Sequence, residues 1–184
     1  AELSLRKAIE LNPYFAGAHY ILGNLLKIKG NLKDAELSFR KAIQLNPSFA
    51  EAHSNLGTIL RTNGRLQDAE VSTRKAIELK PDYAEAHSNL GNILHSLGRL
   101  ESAELSTRKA IKLKPDFAEA YYTLGKILTD NEKFEQAEIS FKEAIKLKFG
   151  FSQAHEALAS ILKKLGRKEE AEESSNYILH LKSI

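Results

Sequence analysis

The chain has 184 residues, enough for one domain or two, and its 42% hydrophobic content excludes global disorder. Its 27 basic and 24 acidic side chains give a formal net charge of +3, too balanced by itself to indicate a nucleic acid or an anionic membrane. It contains no cysteine, which excludes disulfides and cysteine chemistry, and no apolar stretch approaches the roughly 18 residues that a membrane-spanning helix needs.

The first predicted element is a helix over residues 1–11, charged from its second residue and therefore not a signal peptide. It closely repeats the internal sequence 103–113, so we expect segment 1–15 to be a lone second helix, built to pack against a preceding first helix. Its apolar side chains are Leu3, Leu5 and Ile9. We expect them to leave an exposed patch that favours dimerisation through this helix.

A fixed period governs the rest of the chain. The four prolines recur every 34 residues, at Pro13, Pro47, Pro81 and Pro115. Residues 50–83 and 84–117 match at 25 of 34 positions. A period of this size indicates an array of one repeated unit. The predicted repeats are 16–49, 50–83, 84–117, 118–151 and 152–184.

Each repeat is predicted to be a pair of helices. In the second repeat, apolar residues at helical spacing predict helices over 50–63 and 66–79, with Gly64 ending the first and Pro81 the second. A Ser or Asp side chain, which can accept a hydrogen bond from the backbone, followed three residues later by Glu predicts a capping box at the start of the next first helix. The candidate boxes are Ser48 with Glu51, Asp82 with Glu85, and Asp116 with Glu119.

A glycine recurs in the middle of the first helices, as Gly23, Gly57, Gly91 and Gly125. Glycine there costs about 1 kcal/mol relative to alanine. Its recurrence therefore predicts a close approach of the two helices in each pair.

The 34-residue period, together with Leu56-Gly57, Ala69, Ala76 and Pro81, resembles the tetratricopeptide repeat family over the whole chain. The resemblance implies an all-α fold, a right-handed α-solenoid of antiparallel helix pairs with about 11 helices. It also implies that first helices line a concave groove and that second helices face outward. The chain departs from the family pattern where Trp and a bulky aromatic are common. Histidine fills the first position at His19, His53, His87 and His155, and a small hydroxyl residue fills the second at Thr73, Thr107 and Ser175.

The histidine column does not predict a metal site. Packed helices lie about 8–10 Å apart, whereas two imidazoles on one zinc need N–Zn distances near ~2.1 Å. Equivalent histidines of successive repeats therefore cannot share an ion, and a packing role is the favoured interpretation. His95 and His180 lie outside the column and show no obvious partner. We expect neither a metal nor a cofactor.

Basic pairs such as Arg40-Lys41 recur on the second helices, but a glutamate precedes each arginine by four residues. Such pairs stabilise a helix by about 0.2–0.5 kcal/mol each, which favours a solvated outer face over a nucleic-acid stripe. No strand carries a phosphate loop, and no unique catalytic constellation is present. We therefore expect no enzyme activity.

The resemblance places the groove on one polar face of the first helices. Its candidate binding residues are Tyr20, Asn24, Glu51, Asn55, Thr58, Glu85, Asn89, Asn92, Glu119, Tyr122 and Lys126, and Lys27 and Arg61 extend the same face. Asn55 and Asn89 lie in the string Ala-His-Ser-Asn-Leu-Gly, which looks like the superhelix of O-linked N-acetylglucosamine transferase. That resemblance implies an asparagine ladder that holds an extended peptide backbone. Solvated surface asparagines are the equally weighted alternative.

These features predict a scaffold that binds a protein or an extended peptide, with no nucleic-acid or membrane partner and with a cytoplasmic location. Acidic residues in the groove argue against capture of a chaperone's C-terminal carboxylate. Two alternatives stay open. One is a self-associating assembly module, and the other is the targeting part of a larger enzyme such as a glycosyltransferase or sulfotransferase.

Overall fold

The computed structural model describes residues 2–182, with side chains through Ser175. Over that range the chain forms eleven α-helices and no strand. The helices are α1 Glu2–Leu11, α2 Ala16–Ile28, α3 Leu32–Leu45, α4 Ala50–Thr62, α5 Leu66–Leu79, α6 Ala84–Ser96, α7 Leu100–Leu113, α8 Ala118–Asp130, α9 Phe134–Leu147, α10 Ser152–Lys164 and α11 Lys168–Lys182. The even-numbered helices from α2 to α10 begin where the predicted repeats begin.

The helices belong to two compact units, Ala1–Ile93 and Leu94–Ile184, and α6 contributes to both. In the first unit each helix from α1 to α5 packs against the next one, and α2 also contacts α4. In the second unit each helix from α7 to α11 packs against the next one, and α8 also contacts α10. Turns of three or four residues join the helices within each unit, so consecutive helices run antiparallel.

A left-handed glycine follows the first helix in four of the five pairs, as the sequence predicts for Gly64. Gly64 has φ +76°, and the N–H of the next residue, Arg65, donates to the Leu60 carbonyl at 2.9 Å. This is the bond that closes a helix when the residue after the cap is left-handed. Glu132 takes the equivalent place in the second unit with φ 56°, a conformation that costs a residue with a side chain roughly 1 kcal/mol.

The predicted capping boxes are wrong at the two helices where the cap is described. The N-cap residues of α4 and α8 are Phe49 and Phe117, and neither helix has a side-chain cap. The helices start one residue later than the boxes require, so the polar residue lies outside the cap position. Ser48 instead donates its backbone N–H to the Asn46 side chain at 3.2 Å, inside the turn. Glu51 and Glu119 pair with lysines rather than with the backbone of a cap residue.

Three of the described helix pairs, α2 with α3, α4 with α5 and α8 with α9, approach closely at the mid-helix glycine, as the sequence predicts. A Cβ on Gly57 would lie 2.1 Å from Oγ1 of Thr73, and a Cβ on Gly125 would lie 2.5 Å from the Phe141 ring. Real side-chain contacts are never that short, so only glycine fits. Ala76, on the second helix of the same pair as Gly57, is completely buried.

The second-helix residue that faces the glycine varies together with one residue of the first helix. Tyr20 packs on Phe39, and Tyr122 packs on Phe141, with ring centroids 5.9 Å apart in both cases. Where serine replaces that tyrosine, threonine replaces the phenylalanine: Ser54 goes with Thr73. Thr73 is fully buried, and its hydroxyl is a buried polar atom with no hydrogen-bond partner among the described residues.

Glutamates near the start of the second helices bind two cations each. Glu36 pairs with Arg40 on its own helix at 2.8 Å and with Arg65 of the next turn at 3.0 Å. Glu138 does the same with Lys142 and Arg167, both at 2.7 Å. The bond within the helix confirms the predicted i,i+4 pairing. The second bond links neighbouring repeats, and sequence spacing did not reveal it.

Replacing Gly125 with Ala should lower the free energy of unfolding by roughly 1–2 kcal/mol. The gain in helix propensity is about 1 kcal/mol, but the new methyl group overlaps a ring that is buried and already packed on Tyr122. Gly150→Ala is the matched control, because a Cβ at this position would have nothing within 4 Å of it and the φ of Gly150 is not left-handed. That variant should gain about 0.5 kcal/mol. Urea unfolding of both variants measures these changes in stability. Equal stability of the two variants would contradict the close approach at Gly125.

Acid should weaken the second unit through Glu138. A hydrogen bond from Lys142, opposed by burial and supported by Arg167, holds the pKa of this carboxyl below its ordinary value of 4.5. A lowered pKa means that the stabilisation is present above pH 4.5 and is lost as the pH falls through the folded-state pKa. The urea midpoint of Glu138→Gln should therefore fall less steeply with acid than that of the natural chain. Glu135→Gln is the control on the same helix and should keep the natural slope.

Candidate functional site

The predicted groove residues all lie on first helices and divide between the two units. The first unit holds Tyr20, Asn24, Glu51, Asn55, Thr58, Glu85, Asn89 and Asn92, on α2, α4 and α6. The second unit holds Glu119, Tyr122 and Lys126, on α8. Ten of these eleven are half-buried, and Glu119 is exposed. Half-buried polar side chains on one helix face can be reached by a ligand while their stems stay packed.

Asn55 is the centre of a hydrogen-bond network between α2 and α4. Its amide nitrogen donates to Oδ1 of Asn24 at 2.9 Å and, through a longer bond of 3.4 Å, to the hydroxyl of Tyr20. Its amide oxygen accepts a hydrogen bond from the ammonium of Lys27 at 3.1 Å. Sequence reasoning placed these four residues on one face but did not predict that they bond to each other.

Asn89 occupies the next equivalent position and is less constrained. Its amide nitrogen donates to the hydroxyl of Ser54 at 2.9 Å. Ser54 also lies near the phenol of Tyr83 and partly opposes the rise in its pKa. Burial, reinforced by Tyr20 and by nearby carboxylates, raises the pKa of Tyr83 to about 12, so this phenol is neutral and can donate at physiological pH. Asn89 keeps one N–H and its amide oxygen without a partner in the described part of the chain.

Lysines neutralise the acidic edge of the site. Lys80 lies 3.2 Å from Glu51 and also stacks over the Tyr83 ring at 5.0 Å. In the second unit Lys148 lies 2.8 Å from Glu119, and this hydrogen bond, opposed by burial, holds the pKa of that carboxyl below its ordinary value. The glutamates therefore present paired charges, which the sequence alone did not indicate.

In the second unit, α8 carries an aromatic cluster at the equivalent repeat positions. Tyr122 packs on Phe141 and Phe151, with centroids 5.9 and 5.0 Å apart, and Lys126 lies over its ring at 5.9 Å. Burial, with the added effect of Glu156, raises the pKa of Tyr122. The second unit therefore offers an apolar surface with a cation beside it rather than a ladder of amides.

The four column histidines support the turns between repeats, as the packing interpretation requires. In the second repeat, Nε2 of His53 lies 3.0 Å from the carbonyl oxygen of Pro47. His19, His87 and His155 make the same bond to the carbonyls of Pro13, Pro81 and Phe149. A carbonyl can only accept, so Nε2 carries the proton and is occupied.

His95 has a partner that the sequence did not show. Its Nε2 lies 2.6 Å from Oδ2 of Asp130, within the second unit, and its side chain is mostly buried. The two residues are 35 positions apart, so the contact could not be read from local sequence spacing. The side chain of His180 lies outside the described residues.

A cleft of about 630 Å³ opens on the opposite side of α4, between α3 and α5. It contains none of the predicted groove residues. Its floor is Leu56 and Leu60, which already belong to the core, and two of its rim residues, Arg40 and Arg65, are held by Glu36. It is therefore the gap between consecutive second helices, and we assign it no ligand.

Models of the tetratricopeptide repeat match most of the chain, over residues 4–36, 23–64, 57–98, 91–131, 118–150 and 152–176. The chain belongs to the tetratricopeptide repeat family. The predicted fold class, an all-α tetratricopeptide-repeat solenoid of eleven helices within the described residues, is therefore confirmed. None of the helices in the described range is long and apolar enough to cross a membrane.

Solved structures of tetratricopeptide repeat proteins resemble the chain over most of its length. A crystal structure of MamA is 25% identical with a TM-score of 0.73, covering 88% of this chain and 95% of its own. PilF of Pseudomonas aeruginosa is 24% identical with a TM-score of 0.82, covering 90% and 75%. YrrB, described as having an unusual peptide-binding site, is 22% identical with a TM-score of 0.69, covering 98% and 93%. No curated protein sequence matches the chain.

Proposed function

We propose that the chain is a non-catalytic scaffold that binds an extended segment of a partner protein along the polar face of its first helices. Membership of the tetratricopeptide repeat family, whose members bind protein or peptide partners, supports a role in protein interaction. The single observation that carries the proposal is the pair of half-buried amides, Asn55 and Asn89, at equivalent positions of successive repeats. An asparagine amide both donates and accepts, so each can pair with one peptide unit of an extended chain.

The hydrogen bonds within the protein leave room for such pairing. Asn89 uses one N–H and keeps its other N–H and its oxygen for a ligand. Asn55 keeps one oxygen lone pair, and its 3.4 Å bond to Tyr20 is long enough to be exchanged at little cost. The bonds to Asn24 and Lys27 meanwhile hold the Asn55 side chain in one orientation, which lowers the entropy lost on binding.

The charges of the outer helices favour a protein partner over a nucleic acid or a membrane. Each described arginine of the recurring column lies beside a glutamate, as Arg40 lies beside Glu36 at 2.8 Å and Arg108 beside Glu104 at 2.8 Å. Neutralised arginines cannot release counterions from a polyanion. YrrB, a structural neighbour whose description names a peptide-binding site, has the same fold and supports the same class of ligand. The expected cytoplasmic location stays a prediction.

The proposal predicts that random decapeptides selected on the immobilised chain depend on the two amides. In calorimetry, the double variant Asn55→Ala with Asn89→Ala should bind a selected peptide about 1 kcal/mol more weakly for each lost hydrogen-bond pair. Gln67→Ala with Gln136→Ala is the matched control, because it removes two exposed amides from second helices and should not change affinity.

Circular dichroism and a urea midpoint must first show that the double variant is folded, since Asn55 also bonds to Asn24 and Lys27. If it misfolds, Asn89→Ala alone carries the test, because Asn89 makes a single bond to Ser54. Selection of no peptide, or equal affinity in the folded variant and the natural chain, would contradict the proposed function.

Self-association through α1 is a second candidate function, favoured by the exposure of its apolar residues. Leu3 and Leu11 are 82% and 81% exposed, and Tyr14 and Phe15 follow in the next turn at 80% and 55%. None of the described residues of α1 is buried. Of the predicted patch, Leu3 is exposed, whereas Leu5 and Ile9 are half-buried against the fold. A cluster of this kind favours contact with a second copy of the chain.

Leu3→Lys with Leu11→Lys should abolish concentration-dependent dimerisation, because both changes place a charge in the apolar contact. The measurement is sedimentation equilibrium over a wide concentration range. Leu105→Lys with Ile139→Lys is the control, since those residues are similarly exposed, at 73% and 64%, on α7 and α9. A natural chain that stays monomeric at every concentration, or an equal loss in the control, would count against α1.

A further inference from the structure

The first helices α2 and α4 carry an uneven distribution of charge. α2 contains no acidic residue, and Glu51 is the single acid of α4. Lys27 and Arg61 lie in the last turns of these two helices at equivalent repeat positions. Glu51 lies ten residues before Arg61, about 15 Å along the helix axis, and is already paired with Lys80. The end of the face that holds Lys27 and Arg61 is therefore cationic.

Neither cation is neutralised by a carboxylate within the described part of the chain. Lys27 is half-buried, and its ammonium has one described acceptor, the neutral amide oxygen of Asn55 at 3.1 Å. Burial lowers the pKa of Lys27, so the fold disfavours its charge there. Arg61 has no described hydrogen bond or ion pair. By contrast, Arg40, Arg65 and Arg74 on the outer side each lie within 3.0 Å of a carboxylate.

The dipole of a helix explains only part of this arrangement. A cation in the last turn gains about 0.3–1 kcal/mol from the carbonyl end of its helix. That gain is available to a side chain that stays in water. It does not explain why the Lys27 ammonium lies on an amide of the neighbouring helix, where its charge is partly desolvated.

We infer that Lys27 and Arg61 hold a carboxylate side chain of the bound partner segment, next to the residue whose backbone pairs with Asn55. The inference rests on the proposed function and adds a specificity to it: the partner carries Asp or Glu at this position. A carboxylate accepts hydrogen bonds from both an ammonium and a guanidinium. Asn55 and Lys27 are already bonded, so the amide that pairs with the backbone and the cation that pairs with the side chain act side by side.

The test is selection of random decapeptides on three proteins. The first is the natural chain, and the second is the variant Lys27→Gln with Arg61→Gln, which keeps hydrogen-bond donors but removes both charges. The third is the control Lys33→Gln with Lys109→Gln, which removes two exposed charges from the second helices α3 and α7. Peptides from the natural chain and the control should be enriched in Asp or Glu at one position, and the enrichment should vanish on the Lys27 and Arg61 variant.

Calorimetry then measures the coupling between the acidic side chain of the peptide and the two cations. It compares one selected peptide with its analogue in which the acid becomes Asn or Gln. Losing the acid should weaken binding to the natural chain about tenfold or more, and should change binding to the Lys27 and Arg61 variant much less. Selected peptides that require Asn55 and Asn89 but show no acidic enrichment would overturn this inference and leave the proposed function standing. Acidic enrichment that persists on the variant would also overturn it. If no peptide is selected, the proposed function itself fails.

Discussion

The structure depends on how closely two helices of a pair can approach. Gly57 and Gly125 leave no space for a methyl group, because Thr73 and the Phe141 ring already fill the positions where a Cβ would lie. A glycine in a helix costs about 1 kcal/mol, so the contact it permits must return more than that in packing. The short distance between helices fixes which face of each first helix points away from its partner. That face carries the candidate site.

Two kinds of polar contact then keep the repeats in register, one on each side. On the outer side a glutamate such as Glu138 binds one cation of its own helix and one from the following turn. On the other side, amides and hydroxyls bond across first helices, as Asn55 does to Asn24. Exposed ion pairs contribute little individually, and the half-buried amides contribute about 1 kcal/mol each. The column arginines of the outer side are therefore already paired, whereas Asn89 on the amide side keeps donors and acceptors that have no partner among the described residues.

The candidate site combines three environments rather than a uniform ladder. Asn55 and Asn89 offer amides, the acidic edge at Glu51 is neutralised by Lys80, and the opposite end holds Lys27 and Arg61 without carboxylates among the described residues. An extended segment that follows the amides would meet an unneutralised positive charge at one end and paired charges at the other. Such asymmetry is what sets the direction and the charge of a bound chain, since amides alone recognise a backbone without regard to sequence.

The sequence by itself determined everything that repeats at fixed spacing along one helix. The 34-residue period, the helix pairs, the glycines such as Gly64 that end first helices and the i,i+4 pairs all follow from local rules, because their partners lie within a turn or two of each other. It failed first at the helix starts, where Phe49 rather than Ser48 is the cap. The sequence pattern is compatible with either residue as the N-cap, and the two possibilities differ by one residue in where the helix begins.

Only the tertiary structure decided which side chains meet across helices. Arg65 reaches Glu36 from 29 residues away, Asn55 reaches Asn24, and His95 reaches Asp130. Each of these contacts depends on the distance and rotation between two packed helices, and a shift of one turn would place a different residue in reach. The same dependence applies to Lys27 and Arg61. The sequence could place both cations on one helix face, but the packing of α2 on α4 decided that an amide, and not a carboxylate, would face the lysine.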